Sequence, residues 1–134
     1  MAEENKNFDL RIITPDRTFY EGQAHMVEFN TTEGQVGIYK NHIPITVVIK
    51  PGTLTIKGDE VLTAALHSGF VEILPESITV LAEVIEWPDE IDKARAEAAK
   101  DRATKLIAEH ASTTDIVRAE TALQRAIARI SVLR

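Results

Sequence analysis

Three charged residues in the last third of the chain have a spacing that could hold a phosphorylated ligand. Asp92 and Arg95 stand three residues apart, and Arg102 follows Arg95 by seven, so a helix would place all three on nearly the same side. Guanidinium groups donate paired hydrogen bonds to phosphate oxygens. The same spacing is also typical of a solvent-exposed row of ion pairs, each of which contributes little to stability. Both interpretations stay open at this point.

Three further arginines lie near the end of the chain. Arg118, Arg125 and Arg129 recur at offsets of seven and eleven residues, which places them on nearly one face of a helix. They could complete a phosphate site with Arg95 and Arg102, or they could contact a partner protein. The spacing alone does not choose between these two roles.

Charge and composition limit the class of protein. Residues 1–88 carry 6 basic and 13 acidic side chains, a net charge of −7, whereas residues 89–134 carry 9 basic and 8 acidic ones, a net charge of +1. The acidic first part argues against nucleic-acid binding, and the basic end of the chain could dock on an acidic protein surface. With 44% hydrophobic and 27% charged residues, the 134-residue chain is expected to fold around a packed core. Its polar N-terminus and short apolar runs predict a cytoplasmic protein without a membrane span.

Most familiar catalytic chemistry has no candidate residues in this chain. There is no cysteine, which excludes disulfides, thiolate metal sites and a cysteine nucleophile. The sequence contains none of the common phosphate-loop, dinucleotide, zinc-protease or serine-hydrolase motifs. The histidines have no metal-ligand spacing, and His42, just before Ile43 and Pro44, is expected to pack in a loop rather than act as a base. We therefore do not expect an enzyme.

The elements that must position these side chains begin with strands. From Phe8 onward, apolar residues alternate with polar ones over short segments that Gly or Pro interrupts, which is the pattern of an antiparallel sandwich or barrel. About nine or ten strands are expected, with a break at Ser68–Gly69. The segments with this pattern are residues 8–13, 18–21, 24–31, 33–39, 43–49, 53–57, 60–66, 70–74 and 78–85.

Two helices are predicted after Trp87–Pro88, where proline ends the last strand. Asp89 is placed to cap the first helix, which is rich in alanine from Ala94 to Ala108. Polar residues at 110–114 interrupt it, and Asp115 is expected to open the second helix. That helix has an apolar seam of residues seven apart: Ile116, Leu123, Ile130 and Ala119, Ala126, Leu133.

The short connection makes the two helices antiparallel neighbours in an αα-hairpin. Because the hairpin has few large side chains to bury, its packing should be marginal, and it could open if a partner offers a better surface. The expected fold is an all-β sandwich of about ten strands followed by this two-helix hairpin. We expect two domains, residues 1–87 and residues 88–134.

Four segments of this sequence, taken together, resemble the epsilon subunit of bacterial rotary ATP synthases. They occur in the order of that family, and the similarity extends over almost the entire chain. The segments are Glu33–Pro44 (EGQVGIYKNHIP), Ser68–Ile73 (SGFVEI), Thr79–Ala82 (TVLA) and Ile91–Ala96 (IDKARA).

The resemblance implies a place and a role as well as a fold. Subunits of this family are part of the rotor stalk, where they bind the gamma subunit and touch the membrane ring of c subunits, so that rotation is coupled to the ring. They have no catalytic residues and require no cofactor. Their helices can extend into the catalytic sector of alpha and beta subunits and block ATP hydrolysis. The resemblance thus implies a non-catalytic subunit, peripheral to the cytoplasmic face of the bacterial membrane.

The resemblance also implies a regulatory ATP site. In the members that sense nucleotide the motif is Ile or Leu, Asp, two variable residues, Arg and Ala, and this chain matches it position for position. Asp92 is expected to orient Arg95 or to accept from the adenine or nearby backbone, since it would repel phosphate. The residues that the family uses correspond here to Glu86, Ile91, Asp92, Arg95, Ala96, Arg102, Arg125 and Arg129.

The same family pattern implies partner contacts. Gln35, Val36 and His42 would belong to a loop on the c-ring side. Arg118, Arg125 and Arg129 would meet the catalytic sector when the helices extend. A free ATP sensor, or an adaptor whose helices serve one protein partner, is the alternative to a rotor subunit.

Overall fold

The computed structural model describes residues 5–109 and 112–133, which form eight strands followed by two helices. A short 3-10 helix (Pro88–Glu90) separates the strands from α1 (Lys93–Ala108) and α2 (Thr113–Ser131). This arrangement confirms the predicted fold class. The strands are β1 (Phe8–Ile13), β2 (Thr18–Ala24), β3 (Met26–Thr31), β4 (Gly34–Ile38), β5 (Ile45–Val48), β6 (Gly52–Lys57), β7 (Val61–Ile73) and β8 (Ser77–Glu86).

The strands build one sandwich-like sheet around a single core. Their order is β2-β1-β8-β7-β6-β3-β4, with β5 paired to β7, and every pair is antiparallel except β1 with β8. Alternation explains the core: Phe8, Leu10 and Ile12 of β1 are fully buried, whereas Asp9 and Arg11 between them are exposed. Burying these apolar faces is what holds the sheet closed.

Strand β7 is longer than the sequence predicted. The expected break at Ser68–Gly69 is wrong, since the strand continues through it with a bulge in its pairing to β8. Gly69 has φ +140°, and a Cβ atom there would lie 2.0 Å from the carbonyl oxygen of Leu81. Glycine is needed because the two backbones approach closely, not because the strand ends. Two predicted strands therefore merge, and the described residues form eight strands instead of nine or ten.

The junction between sheet and helices is built on an aromatic cluster. Trp87 stacks on Phe19 with ring centroids 4.2 Å apart and meets Tyr20 edge-on at 6.4 Å. The prediction that Asp89 caps the first helix is wrong, because Asp89 lies within the 3-10 helix that Pro88 begins. The cap of α1 is Asp92, three residues later.

The two helices form the predicted hairpin, and small residues bring them close. Ala96 and Ala103 of α1 and Ala119 and Ala126 of α2 are buried, as the predicted seam required for the last two. The larger seam residues, including Leu123, are only half-buried. The hairpin therefore buries little apolar volume, and α2 alone of the two helices packs extensively against the sheet, on β6 and β7.

Helix α2 begins earlier than expected. Ser112 caps it by accepting a hydrogen bond from the backbone N–H of Asp115 at 3.3 Å, so the prediction that Asp115 opens the helix is wrong. The predicted interruption falls partly on residues 110–111, which lie outside the described residues. Neither α1 nor α2 has the length and hydropathy that a bilayer span needs.

Candidate functional site

A cleft of about 340 Å³ lies where the end of β8, the 3-10 helix, the start of α1 and the end of α2 meet. Ligand pockets are typically of this size or larger. Seven of the eight residues predicted to hold ATP line it, and Arg125 does not. The lining residues are Glu86, Glu90, Ile91, Asp92, Arg95, Ala96, Ala99, Arg102 and Arg129.

The first turn of α1 supplies the cationic side of the cleft. Asp92 is the helix cap, and its Oδ1 accepts a hydrogen bond from the backbone N–H of Arg95 at 3.1 Å. The carboxylate contacts the backbone of Arg95 and makes no ion pair with its side chain. Within residues 5–109 and 112–133, neither Arg95 nor Arg102 has a carboxylate within ion-pair distance. The predicted ion-pair row therefore does not form, and both guanidinium groups are available to an anion.

A polar chain closes the inner wall of the cleft. The Oε1 atom of Glu86 accepts hydrogen bonds from Nε of Arg129 at 2.7 Å and from Nε2 of His67 at 2.9 Å. His67 is fully buried, and burial lowers the pKa of its ring below the ordinary value of 6.5, although the hydrogen bond to Glu86 opposes this. One carboxylate oxygen of Glu86 thus joins β7, β8 and α2 through hydrogen bonds.

The rim of the cleft is fixed by Glu90, which the sequence analysis did not identify. Both carboxylate oxygens of Glu90 accept from Nη2 of Arg17 at 2.9 Å, and Oε1 also accepts from the backbone N–H of Trp87 at 2.9 Å. The Trp87 hydrogen bond, with a smaller contribution from Arg17, lowers the pKa of Glu90. No sequence spacing indicates a pair 73 residues apart, but a glutamate three residues after the residue that caps a helix, as Glu90 is after Trp87, does fit one half of a capping box.

The α1 side of the cleft is suited to an anion. The three carboxylates of the cleft are already occupied, because Glu86 binds Arg129, Glu90 binds Arg17 and Asp92 caps α1. That leaves Arg95 and Arg102 of α1 without an ion-pair partner in the part of the chain that the structure describes. Ala96 and Ala99 present only methyl groups between them, which keeps the space open. The arrangement can bind phosphate through charge-assisted hydrogen bonds.

The arginines of α2 separate into different environments. Arg129 reaches into the cleft, whereas Arg125 is exposed beside it and acts on His67 only through its charge. Arg118 is exposed and lies about two helical turns before Arg125 and about three before Arg129. Arg118 and Arg125 thus remain accessible on the outer surface of the hairpin, and their predicted partner contacts stay predictions.

The prediction that Gln35, Val36 and His42 share one loop is wrong, since Gln35 and Val36 lie in β4 and only His42 is in a loop, whereas their contact with a c-ring stays a prediction. Gln35 stands at the start of β4, where its Nε2 donates to Oε1 of Glu28 at 2.9 Å. Val36 is half-buried and packs against the core. His42 follows the other end of β4, with Nδ1 2.8 Å from the carbonyl oxygen of Ile43. The described part of the chain contains no cluster of His, Asp or Glu able to hold a metal ion.

Relatives identify the family. The family model for the ATP synthase delta/epsilon chain β-sandwich domain matches residues 7–88, and the model for the long α-helix domain of the same chains matches residues 89–134. The ATP synthase epsilon chain of Caldanaerobacter subterraneus subsp. tengcongensis is 43% identical, over 96% of this chain and 94% of the relative. That of Bacillus velezensis is 40% identical, over 95% and 97%.

Solved structures share the fold at low sequence identity. A chain in the Euglena gracilis mitochondrial ATP synthase superposes with a TM-score of 0.84 at 15% identity, covering 99% of this chain and 85% of the other. A chain in the central stalk and c-ring structure of the Tetrahymena thermophila enzyme gives 0.64 at 12% identity, covering 99% and 100%. With both family models and the bacterial relatives matched along nearly its full length, this chain belongs to the family of ATP synthase delta/epsilon chains, among the bacterial epsilon chains.

Proposed function

We propose that this chain is the rotor-stalk epsilon subunit of a bacterial ATP synthase, which couples the gamma subunit to the c-ring and uses its hairpin to regulate hydrolysis. Family membership over both parts of the chain supports this role. The fold that it shares with chains of two ATP synthase assemblies is consistent with it. In this role the chain has no catalytic residues of its own and reaches the cytoplasmic face of the membrane only as part of the complex.

The regulatory part of the proposal is supported by how the hairpin is attached. Apart from Val132, the buried apolar residues after the sheet are all alanines. Two polar contacts join α2 to the sheet, Thr53 Oγ1 to Ser131 Oγ at 2.8 Å and Glu86 to Arg129 at 2.7 Å. Few large apolar contacts hold such a hairpin, so it can leave the sheet at modest cost and enter the catalytic sector.

The single observation that supports regulatory ATP binding is the pair of free guanidinium groups in the cleft. Arg95 and Arg102 face a space bounded by both the sheet and the hairpin, and neither is neutralised there. A ligand that fills this space contacts the sheet as well as the two arginines, so it binds the docked hairpin in preference to the released one. By mass action ATP then stabilises the docked form and opposes inhibition.

Calorimetric titration of ATP into the isolated chain tests this site. Each charge-assisted hydrogen bond contributes about 1.5–3 kcal/mol, so Arg95→Ala and Arg102→Ala should each weaken binding about 10- to 100-fold. Lys105→Ala is the matched control, because it removes one positive charge from the same helix outside the cleft. ATP that binds all four proteins equally, or does not bind the native chain, contradicts the proposed site.

Inhibition is tested by locking the hairpin. The chain has no cysteine, and Thr53→Cys with Ser131→Cys introduces two thiols where two hydroxyl oxygens now lie 2.8 Å apart. In reconstituted catalytic sector, the oxidised variant should fail to inhibit ATP hydrolysis, and reduction should restore inhibition. The single-cysteine variants control for oxidation elsewhere. Equal inhibition by the locked and reduced forms would refute the role of hairpin release while leaving the coupling role intact.

A further inference from the structure

His67 is the one buried polar residue among the described residues, and its surroundings assign it a role that ATP binding does not require. It lies in β7, the strand on which α2 packs, at the bulge opposite β8, and it has no exposed surface. Its Nε2 atom is 2.9 Å from Oε1 of Glu86, and its Nδ1 atom is buried without a hydrogen-bond partner. A histidine in a core is usually satisfied on both nitrogens, so the unpartnered atom needs an explanation.

The contacts define the protonation state that the docked hairpin accepts. A carboxylate only accepts hydrogen bonds, so Nε2 carries the proton and Nδ1 is bare in the neutral ring. Protonating Nδ1 would create a buried N–H with no acceptor, beside the guanidinium groups of Arg125 and Arg129. Both effects penalise the cationic ring, and only the Glu86 carboxylate favours it. The docked structure therefore favours neutral His67.

The other elements packed around β7 do not offset this balance. Strand β5 has no charged residue, and the charged residue of β6, Lys57, pairs with Val61 at the far end of β7. Glu83 of β8 points to Ser68, and Glu90 of the 3-10 helix is held by Arg17. The titratable and charged groups that face the ring are Glu86 from β8 and Arg125 and Arg129 from α2, with Asp89 on the neighbouring 3-10 helix exposed.

We propose that His67 is a positioning residue and a proton-sensitive lock: its neutral ring holds Glu86 against Arg129 while the hairpin is docked, and protonation of the ring releases the hairpin. Once α2 leaves, water reaches the ring, and a hydrated imidazole has an ordinary pKa of about 6.5. Docking requires the second ring proton to leave, because burial lowers the pKa of the docked ring. The contribution to docking is therefore complete above about pH 6.5 and declines as the pH falls below it.

This lock would add acidification of the cytoplasm to the signals that act on the hairpin. It concerns the docking equilibrium itself, so it is tested without nucleotide and stands or falls separately from the ATP site. One proton can change a docking constant at most tenfold per pH unit. With a reference pKa of about 6.5, lowering the pH from about 7.5 to about 5.5 should weaken docking by up to about tenfold.

The experiment measures docking in the full chain by the distance between two spin labels. Exposed positions Asp59, in the turn after β6, and Glu120, on α2, are changed to cysteine, since the chain has none of its own. The native background should lose docked population as the pH falls through this window. His67→Gln keeps a donor near Nε2 but cannot be protonated, so its docked population should stay constant, whereas the exposed-residue control His25→Gln should behave like the native chain.

A docked population independent of pH in the native chain, or an equal decline in His67→Gln, overturns the proposal. If the hairpin of His67→Gln does not dock, the test uses the NMR chemical shifts of the two ring nitrogens of His67 in the native chain, which report its protonation state. A neutral ring protonated on Nε2 that gains its second proton only well below pH 6.5 supports the lock. A cationic ring at pH 7 overturns it.

Discussion

Removing the carboxylate of Glu86 should release the hairpin while leaving the sandwich folded. Glu86→Ala deprives the fully buried His67 of its only acceptor, and an unsatisfied buried donor costs about 1–3 kcal/mol. It also removes the ion pair with Arg129, whose side chain is 30% exposed and that of Glu86 24%, so this contact contributes about 1 kcal/mol. Together the change should cost about 2–4 kcal/mol of docking free energy, or a factor of about 30 to 1000 in the docking equilibrium.

Native-state hydrogen exchange separates docking from global stability. Amides of α2 around Ala119 and Ala126 should exchange faster by that factor, whereas those of Leu10 and Ile12 in β1 should exchange as in the native chain, because β1 lies in the sandwich core. The matched control is Glu83→Ala, which removes a carboxylate from the same strand.

Among the described residues, the carboxylate of Glu83 accepts one hydrogen bond, from Ser68 at 3.1 Å, and none from α2. Equal protection of α2 in both variants would show that Glu86 does not hold the hairpin. A parallel loss of protection in β1 would show that the hairpin and the sandwich unfold as one unit. Either result would contradict a hairpin that Glu86 holds and that leaves the sandwich independently.

Three other changes have expected outcomes. Gly69→Ala should lower the free energy of unfolding of the sandwich by more than about 2 kcal/mol in a denaturant titration. The reason is that residue 69 has φ +140° and the new Cβ would lie 2.0 Å from the carbonyl oxygen of Leu81. Unchanged stability would contradict the bulge geometry. Leu123→Ala should cost only about 1 kcal/mol, since this residue is half-buried, and the loss should be seen as faster exchange of α2. The pKa of Glu90 is lowered in the folded chain, so the contribution of this carboxylate to stability is present above about pH 4.5 and is lost as the pH falls through the folded pKa. Because Glu90 accepts from the backbone of Trp87, the fluorescence of Trp87 should change on acidification in the native chain and not in Glu90→Gln.

Much of the sheet could be predicted because alternation is a local property. The pattern in β1 is a direct record of which side chains enter the core. The bulge in β7 could not be, because Ser68–Gly69 has the composition of a turn while the reason for Gly69 is the close approach of β8, which no local pattern contains. The residue that caps α1 was predicted wrongly because the sequence offers two candidates of the same type. Asp89 and Asp92 are equally good caps, and Pro88 uses the first for a 3-10 helix.

The residues of the candidate site that match the family motif could be predicted from the sequence. The residues whose role depends on contacts between distant segments could not. The spacing of Asp92, Arg95 and Arg102 indicated a shared face, and the cleft does bring the two arginines together. That Asp92 caps the helix depends on where α1 starts. The link from His67 to Glu86 depends on the register of β7 with β8, and the only local signal was a histidine at the end of a buried apolar run.

ATP should bind the docked hairpin in preference to the released one, and a distance measurement in the full chain can show this. Chains with spin labels at positions 59 and 120 are titrated with ATP at neutral pH, in the native background and in Arg102→Ala. At an ATP concentration about 100 times the dissociation constant, docking should gain about 2.7 kcal/mol in the native background and far less in the variant. Saturable ATP binding that leaves the native distance distribution unchanged, or that increases the released population, would contradict preferential binding of ATP to the docked hairpin.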